Sequence, residues 1–165
     1  MSKSYQVLVV GGGAAGLATA ASLKKRDRSL EVAVVEPSDK HYYQPGWTMV
    51  GAGVFTKEDT IKDTDSIWPS DVIRIKDEVI KFDPKNNKVT LGNKTEVGYE
   101  MLVVASGLKL DWEAIEGLSE SLGENGVTSN YRYDLAPYTW ELVQEMNGKN
   151  ACLLYTSPSP RDSVV

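Results

Sequence analysis

The chain has 165 residues, of which 41% are hydrophobic, and a formal net charge of −5 at pH 7. This length and apolar content are sufficient for one domain with a sizeable buried core. The mild negative charge argues against non-specific nucleic-acid binding, which needs a basic surface, and no apolar run approaches the length of a transmembrane helix.

The first elements form the pattern of a βαβ unit. Apolar runs predict strands over Gln6–Val10 and Glu31–Val35, and the alanine-rich segment between them predicts a helix over Ala14–Arg26. A glycine-rich turn joins the first strand to the helix, and Glu36 closes the second strand. This order, with an acid about twenty residues after the turn, is the dinucleotide-binding fingerprint.

Each residue type in this fingerprint has a physical role. Gly11 lets the chain turn sharply out of the strand, Gly13 lets a pyrophosphate approach the backbone, and Gly16 lets the helix lie close to the strand. The free N–H groups at the helix start and the positive end of its dipole face the phosphates. The Glu36 carboxylate accepts hydrogen bonds from ribose hydroxyls and repels a 2′-phosphate. The pattern therefore predicts FAD or NAD, rather than an ordinary glycine-rich turn.

The patterns of the following segments are less regular. Residues 37–53 are aromatic and rich in glycine, which predicts an irregular loop that packs over the core or lines a ligand. Residues 57–67 are polar and predicted to be helical. Val79–Phe82 and Val89–Leu91 flank a turn and predict a β-hairpin.

Two further elements follow the hairpin. The run Met101–Gly107 predicts a buried strand of a parallel sheet that ends in small residues. Asp134–Met146 predicts an amphipathic helix whose apolar side chains lie in the core. The sequence shows no metal-ligand cluster and no Ser/His/Asp triad, so no catalytic residue and no metal site are assigned.

Three stretches resemble one family specifically. His41–Gly53, Val103–Trp112 and Ser129–Tyr131 with the helix that follows resemble sulfide:quinone oxidoreductases, in the branch that includes the mitochondrial enzyme and its bacterial relatives. The likeness covers about residues 5–151. It implies an α/β fold, namely a truncated Rossmann-like FAD-binding domain with a parallel sheet and an inserted antiparallel hairpin.

The resemblance also implies FAD as the cofactor and indicates which residues would hold it. Glu36 would hold the adenosine ribose, Gln44 would be a further FAD contact, and Val79 would touch the adenine through its backbone. The pyrophosphate would lie on the glycine turn and the helix start, at Gly11, Gly13, Ala14, Ala15 and Gly16. The segment that would pass under the diphosphate is Ala105, Ser106 and Gly107, where flavoproteins of this type typically have Ala-Thr-Gly.

Members of the family oxidise sulfide to a persulfide on cysteine and pass electrons through the flavin to a membrane quinone. Their cysteines would lie beyond the strand that residues 148–151 would open, so the chain alone is expected to show no turnover. The resemblance implies sulfide and a membrane quinone as partners of the whole protein, no nucleic acid, and peripheral membrane contact only through further residues. The N-terminus resembles neither a signal nor a transit sequence, which favours the bacterial cytoplasm or inner-membrane face over the mitochondrial inner membrane.

The last segment differs from the rest of the chain. Residues 152–162 resemble the in-frame translation of a transposon-end sequencing adapter, rather than a native disordered Ser/Pro tail. We therefore expect residues 1–151 to be the N-terminal part of the FAD-binding domain and residues 152–165 to be non-native. The only cysteine, Cys152, would then not be native, and the second dinucleotide-binding domain would be absent. Uncovered sheet edge and apolar surface would then favour aggregation.

Two other functions stay open. A flavin NADH:quinone dehydrogenase of the same superfamily shares the fingerprint but uses a nicotinamide site instead of cysteines. A non-catalytic dinucleotide-binding module, such as a redox sensor, would lack both the cysteines and a quinone-facing surface.

Overall fold

The computed structural model describes residues 3–148 and 150–152, and its first part is a βαβ unit. The strands are β1 (Lys3–Val10), β2 (Val32–Val35), β3 (Lys40–Tyr42), β4 (Ile61–Asp63), β5 (Ile73–Ile75), β6 (Val79–Asp83), β7 (Lys88–Leu91) and β8 (Glu96–Val104). The α-helices are α1 (Ala14–Arg26), α2 (Pro45–Gly51), α3 (Thr64–Ile67), α4 (Leu118–Ser121) and α5 (Ala136–Gln144). Two short 3-10 helices cover Lys57–Thr60 and Trp112–Ala114.

The main sheet has six strands in the order β5-β2-β1-β8-β7-β6. Strands β5, β2, β1 and β8 are parallel to one another, whereas β7 pairs antiparallel with both β8 and β6. Val10 pairs with Val35 on one side and with Val104 on the other, so three strands end level at one edge. Since β2 and β8 flank β1 on opposite sides, the strand order reverses at β1. Open α/β sheets bind ligands beside such a switch point, outside the carboxyl ends of the strands.

Both faces of the central strands are buried. The alternation of side chains along β1 sends Val7 and Val9 to the face that packs against Ala20 of α1. Leu8 points to the opposite face, where it joins a second apolar cluster. The second cluster contains Tyr5, Leu8, Ala33, Val35, Val89, Leu91, Val97 and Tyr99. Burial on both faces explains why β1 and β2 read as continuous apolar runs rather than as alternating patterns.

The predicted α/β fold, with its parallel sheet and its antiparallel hairpin, is confirmed. The predicted helix over Ala14–Arg26 has the bounds of α1. The hairpin forms from β6 and β7, whose register pairs Phe82 with Val89.

The prediction of an irregular loop over residues 37–53 was wrong in two places. The segment contains β3 and α2. Strand β3 finds its hydrogen-bonding partner in β4, with His41 opposite Lys62, and no local pattern can indicate a partner that lies about twenty residues away. Helix α2 begins at Pro45, a position where proline is favoured because its missing N–H has no helical partner.

The prediction of one helix over residues 57–67 was also wrong. A 3-10 turn at Lys57–Thr60, strand β4 and the one-turn helix α3 occupy this segment. Thr56 and Asp59 form a capping box that starts the helical turn. The pairing of β4 with β3 then overrides the helix propensity of the polar residues that follow.

Burial near the C-terminal half of the chain departs from the sequence prediction as well. Strand β8 ends at Val104 rather than at Gly107, and the residues Met101 and Val104 are 52% and 58% exposed. In the described part of the chain, only the first residues of β8 pair with β7. The later half of β8 therefore pairs with β1 alone. Helix α5 is shorter than predicted, and Val143 and Met146 are exposed instead of in the core.

Among residues 3–148 and 150–152, every helix falls short of the length and apolar character that a membrane span requires. The predicted adapter-derived segment lies outside the described residues from position 153 onwards, and Cys152 is exposed.

Candidate functional site

The turn after β1 lies at the switch point of the sheet. Gly11 has a φ of +101°, which glycine adopts without the steric cost that other residues meet. Its N–H donates to the Val35 carbonyl oxygen at 2.9 Å. A Cβ at Gly11 would overlap the Ala105 carbonyl oxygen. The turn is therefore in close contact with the ends of both neighbouring strands.

Helix α1 begins in open space beside this turn. Gly13 is its N-cap residue, with no side-chain cap, and a Cβ at Gly13 would meet no atom within 4 Å. Ala14 and Ala15, which follow, are exposed. The first N–H groups of a helix lack intrahelical acceptors and carry the positive end of the dipole. An anionic group can therefore approach this helix start without a steric obstacle.

Gly16 holds the helix against the strand. It is buried, and a Cβ at this position would overlap the carbonyl oxygen of Gly11. Only a hydrogen atom fits between α1 and the turn at this point. The open helix start is thus held rigidly at the edge of the sheet.

Glu36 lies directly across from the glycine turn. Its Oε2 accepts a hydrogen bond from the Gly12 N–H at 2.7 Å, and its Oε1 accepts one from the Ser38 N–H at 2.8 Å. The Glu36 N–H donates to the Ile75 carbonyl oxygen at 3.0 Å, which ties the residue to the end of β5. The carboxylate is half-buried and keeps lone pairs for further donors such as hydroxyl groups.

Two basic side chains, one in β5 and one directly after it, form hydrogen bonds to the residues that follow Glu36. The guanidinium of Arg74, whose side chain is 16% exposed, donates to the Ser38 carbonyl oxygen at 2.8 Å and to Asp39 Oδ1 at 3.2 Å. Lys76 Nζ lies 2.6 Å from Asp39 Oδ2, and this hydrogen bond lowers the pKa of the Asp39 carboxyl below its ordinary value. Sequence reasoning missed Arg74 and Lys76 because nothing in a three-residue strand indicates its partners.

The segment after β8 lies on the other side of the turn. The Ala105 N–H donates to the Val10 carbonyl oxygen at 2.7 Å. Ser106 is exposed, and Gly107 has a φ of +74° with open space around its Cα. Three predicted pieces, the glycine turn, Glu36 and Ala105–Gly107, therefore meet at one edge of the sheet.

The two remaining predicted contacts lie further from the turn. Gln44 is exposed at the start of α2, and among the described residues no hydrogen bond joins it to the glycine turn. Val79 is the first residue of β6 and packs on the apolar cluster that contains Val35. Both roles stay predictions. Within the described residues, no group of three His, Cys, Asp or Glu side chains is arranged to hold a metal ion.

Comparison with known proteins agrees with this geometry. The profile of the pyridine nucleotide-disulphide oxidoreductase family matches residues 5–139. The mitochondrial sulfide:quinone oxidoreductase of Dictyostelium discoideum is 41% identical over 155 residues, which cover 93% of this chain and 34% of the relative. A type II NADH:quinone oxidoreductase of Staphylococcus saprophyticus is 31% identical over 121 residues, covering 70% of this chain and 29% of the relative.

Among solved structures, the sulfide:quinone oxidoreductase of Aquifex aeolicus superposes with a TM-score of 0.67 at 26% identity, over 88% of this chain and 32% of that chain. The chain spans about a third of the length of the curated relatives it matches. The pyridine nucleotide-disulphide oxidoreductase family and its sulfide:quinone oxidoreductases are FAD-binding flavoproteins. Since the family profile matches most of the sequence, the chain belongs to the pyridine nucleotide-disulphide oxidoreductase family, in which it is similar to the sulfide:quinone oxidoreductases.

Proposed function

We propose that this chain is the FAD-binding part of a sulfide:quinone oxidoreductase. The observation that carries the proposal is the open start of α1 beside the Glu36 carboxylate at the switch point of the sheet. The identity of 41% to a sulfide:quinone oxidoreductase supports it, since it extends over 93% of the chain. The whole protein would oxidise sulfide to the level of sulfane sulfur and reduce a quinone.

The residues at this edge fit an FAD diphosphate and ribose. The pyrophosphate would lie over the N–H groups of the helix start, where the absence of a Cβ at Gly13 leaves room. Glu36 would accept ribose hydroxyls with the lone pairs that Gly12 and Ser38 leave free. The full proposed set is Gly11, Gly13, Ala14, Ala15, Gly16, Glu36, Gln44, Val79, Ala105, Ser106 and Gly107. FAD would supply two-electron chemistry, and these residues would bind and orient it.

The partners and location of the whole protein follow from the proposed reaction. Sulfide would be the electron donor and a membrane quinone the acceptor. Because such a quinone dissolves in the lipid phase, we place the whole protein at a membrane face, either the bacterial or the mitochondrial inner membrane. Contact with the membrane would come from residues beyond those described.

Substitution of Glu36 by glutamine is expected to weaken FAD binding by about tenfold or more. The charged carboxylate already accepts two backbone N–H groups and would accept the ribose hydroxyls with its remaining lone pairs. An amide offers one neutral acceptor oxygen and turns its NH2 group toward the other N–H, so a ribose hydroxyl would lose its charged acceptor. Loss of one hydrogen bond to a charged group costs about 1.5–3 kcal/mol, and about 1.4 kcal/mol is tenfold in affinity. Titration of the flavin fluorescence with wild-type and Glu36→Gln chains measures the effect. The matched control is Glu31→Gln, an exposed carboxylate before β2, which should leave affinity unchanged.

The activity proposed for the whole protein is tested on the protein encoded by the complete reading frame that contains this sequence. Purified protein is mixed with a soluble quinone and either sulfide or NADH, and quinone reduction is followed by absorbance. We expect rapid reduction with sulfide and none above background with NADH. Reduction with NADH alone would instead establish the NADH:quinone dehydrogenase function, for which the 31% identity to the staphylococcal enzyme is the specific observation. Bound FAD without reduction by either donor would indicate a non-catalytic module.

A further inference from the structure

The chain's only histidine lies against the glycine turn. His41 is in β3, is half-buried, and has its Nδ1 atom 3.3 Å from the Gly12 carbonyl oxygen. The two residues are 29 positions apart. This contact links the aromatic segment after Glu36 to the centre of the turn, and no part of the dinucleotide fingerprint includes it.

The chemistry of the two groups determines the direction of this hydrogen bond. A carbonyl oxygen can only accept, so the imidazole must donate, and Nδ1 must carry the hydrogen. In the neutral ring this leaves Nε2 as the acceptor. His41 therefore acts on the turn as an N–H donor.

Peptide geometry carries the effect from Gly12 to Gly13. The Gly12 carbonyl and the Gly13 N–H belong to one planar trans peptide unit, in which they point in opposite directions. Holding the Gly12 oxygen therefore sets the direction of the Gly13 N–H. Gly13 is the N-cap of α1, and the space around its Cα is open.

The neighbouring peptide units of the turn are held by other partners. Glu36 accepts the Gly12 N–H at 2.7 Å, and the Val35 carbonyl accepts the Gly11 N–H at 2.9 Å. His41 thus restrains the one unit of the turn that the strand ends and Glu36 leave free to rotate.

The backbone on both sides of His41 is itself anchored. The Tyr43 N–H donates to the Thr60 carbonyl oxygen at 2.7 Å, and the Thr64 N–H donates to the Asp39 carbonyl oxygen at 2.9 Å. Lys40 Nζ forms an ion pair with Asp63 at 2.6 Å. The pairing of β3 with β4 therefore fixes the position from which the imidazole reaches the turn.

We propose that His41 is a positioning residue that orients the Gly13 N–H toward the pyrophosphate of the dinucleotide. The inference rests on the proposed FAD-binding function and adds a residue to it. It requires that loss of the His41 donor lower the affinity for ligands that carry the diphosphate. The affinity for adenosine, which has no phosphate, should not change. Loss of one such oriented hydrogen bond corresponds to about tenfold in affinity.

The test uses three variants made in the complete reading frame that contains this sequence, each freed of bound FAD before titration. His41→Phe keeps the ring and removes the donor, His41→Asn places an amide N–H close to the position of Nδ1, and His41→Gln places it one methylene further out. Dissociation constants for ADP and for adenosine are measured by NMR titration, and those for FAD by fluorescence. We expect His41→Phe and His41→Gln to lose about tenfold in affinity for ADP and FAD, with adenosine binding unchanged and with His41→Asn close to wild type.

Each outcome separates this inference from the function on which it rests. If the wild-type chain binds neither FAD nor ADP, the proposed function is overturned and this inference with it. If the wild type binds both and His41→Phe binds them equally well, only the role of His41 is overturned. The proposed role of His41 would be overturned by an equal loss of affinity for ADP and for adenosine. It would also be overturned if His41→Asn bound ADP no more tightly than His41→Gln. Either result would mean that His41 acts only on the structure. Thermal unfolding of each variant shows whether it is folded. If His41→Phe does not fold, the comparison of His41→Asn with His41→Gln still tests the role of His41.

Discussion

Replacement of Gly16 by alanine is expected to destabilise the chain by about 3 kcal/mol, the upper end of the usual cost of overpacking. The added methyl would overlap the Gly11 carbonyl oxygen. That oxygen belongs to backbone held by the hydrogen bond from the Gly11 N–H to Val35. The turn cannot shift without breaking this bond or separating α1 from β1. Urea unfolding followed by circular dichroism measures the change.

The sign of the Gly16 effect is diagnostic. Within a helix, glycine to alanine ordinarily stabilises by about 1 kcal/mol because alanine has the higher helix propensity. The matched control is Ala21→Gly on an exposed position of the same helix, which should cost about 1 kcal/mol through propensity alone. A Gly16→Ala chain as stable as the wild type would contradict the close approach of helix and turn.

Replacement of Gly13 by alanine is expected to leave the fold intact and to weaken FAD binding about a hundredfold. A Cβ at this position meets no protein atom within 4 Å, and the φ of −70° is accessible to alanine. The N-cap change costs at most about 1 kcal/mol of stability. The methyl would, however, occupy the space through which the pyrophosphate is predicted to reach the helix N–H groups. Loss of two hydrogen bonds to a charged group, at about 1.5 kcal/mol each, corresponds to a hundredfold, since about 1.4 kcal/mol is tenfold.

Flavin fluorescence titration and thermal unfolding together separate binding from stability at Gly13. The matched control is Ala21→Ser, an exposed change of similar size elsewhere on α1, which should leave FAD affinity as in the wild type. Unchanged affinity in Gly13→Ala would mean that the diphosphate does not lie over this turn. Taken with Gly16→Ala, the experiment assigns two glycines of one motif to different tasks, one to ligand approach and one to packing.

Several features of this chain could be predicted from the sequence because their causes are local. The β1–α1–β2 unit, the β6–β7 hairpin and the α/β class all follow from apolar periodicity and turn residues within short windows. The order of glycines and acid indicated dinucleotide binding for the same reason, and the profile of the pyridine nucleotide-disulphide oxidoreductase family confirmed the family. The individual FAD contacts stay predictions that the substitutions above can test.

What the sequence could not show are contacts between distant residues. Strand β3 and strand β4 form only because they pair with each other, and this pairing overrode both the predicted loop and the predicted helix. His41 reaches Gly12 and Arg74 reaches Ser38 across 29 and 36 positions, and no spacing rule indicates such partners.

The sequence by itself therefore determined the class of fold, the family and the glycine turn with its acid, since each depends on residue types at short, fixed separations. The tertiary structure alone decided which groups hold that turn. Gly11 and Gly12 donate hydrogen bonds to a neighbouring strand and to a carboxylate, and Gly12 accepts one from an imidazole. Their directions depend on where the folded backbone carries each donor and acceptor, and that is a property of the whole sheet rather than of any segment in it.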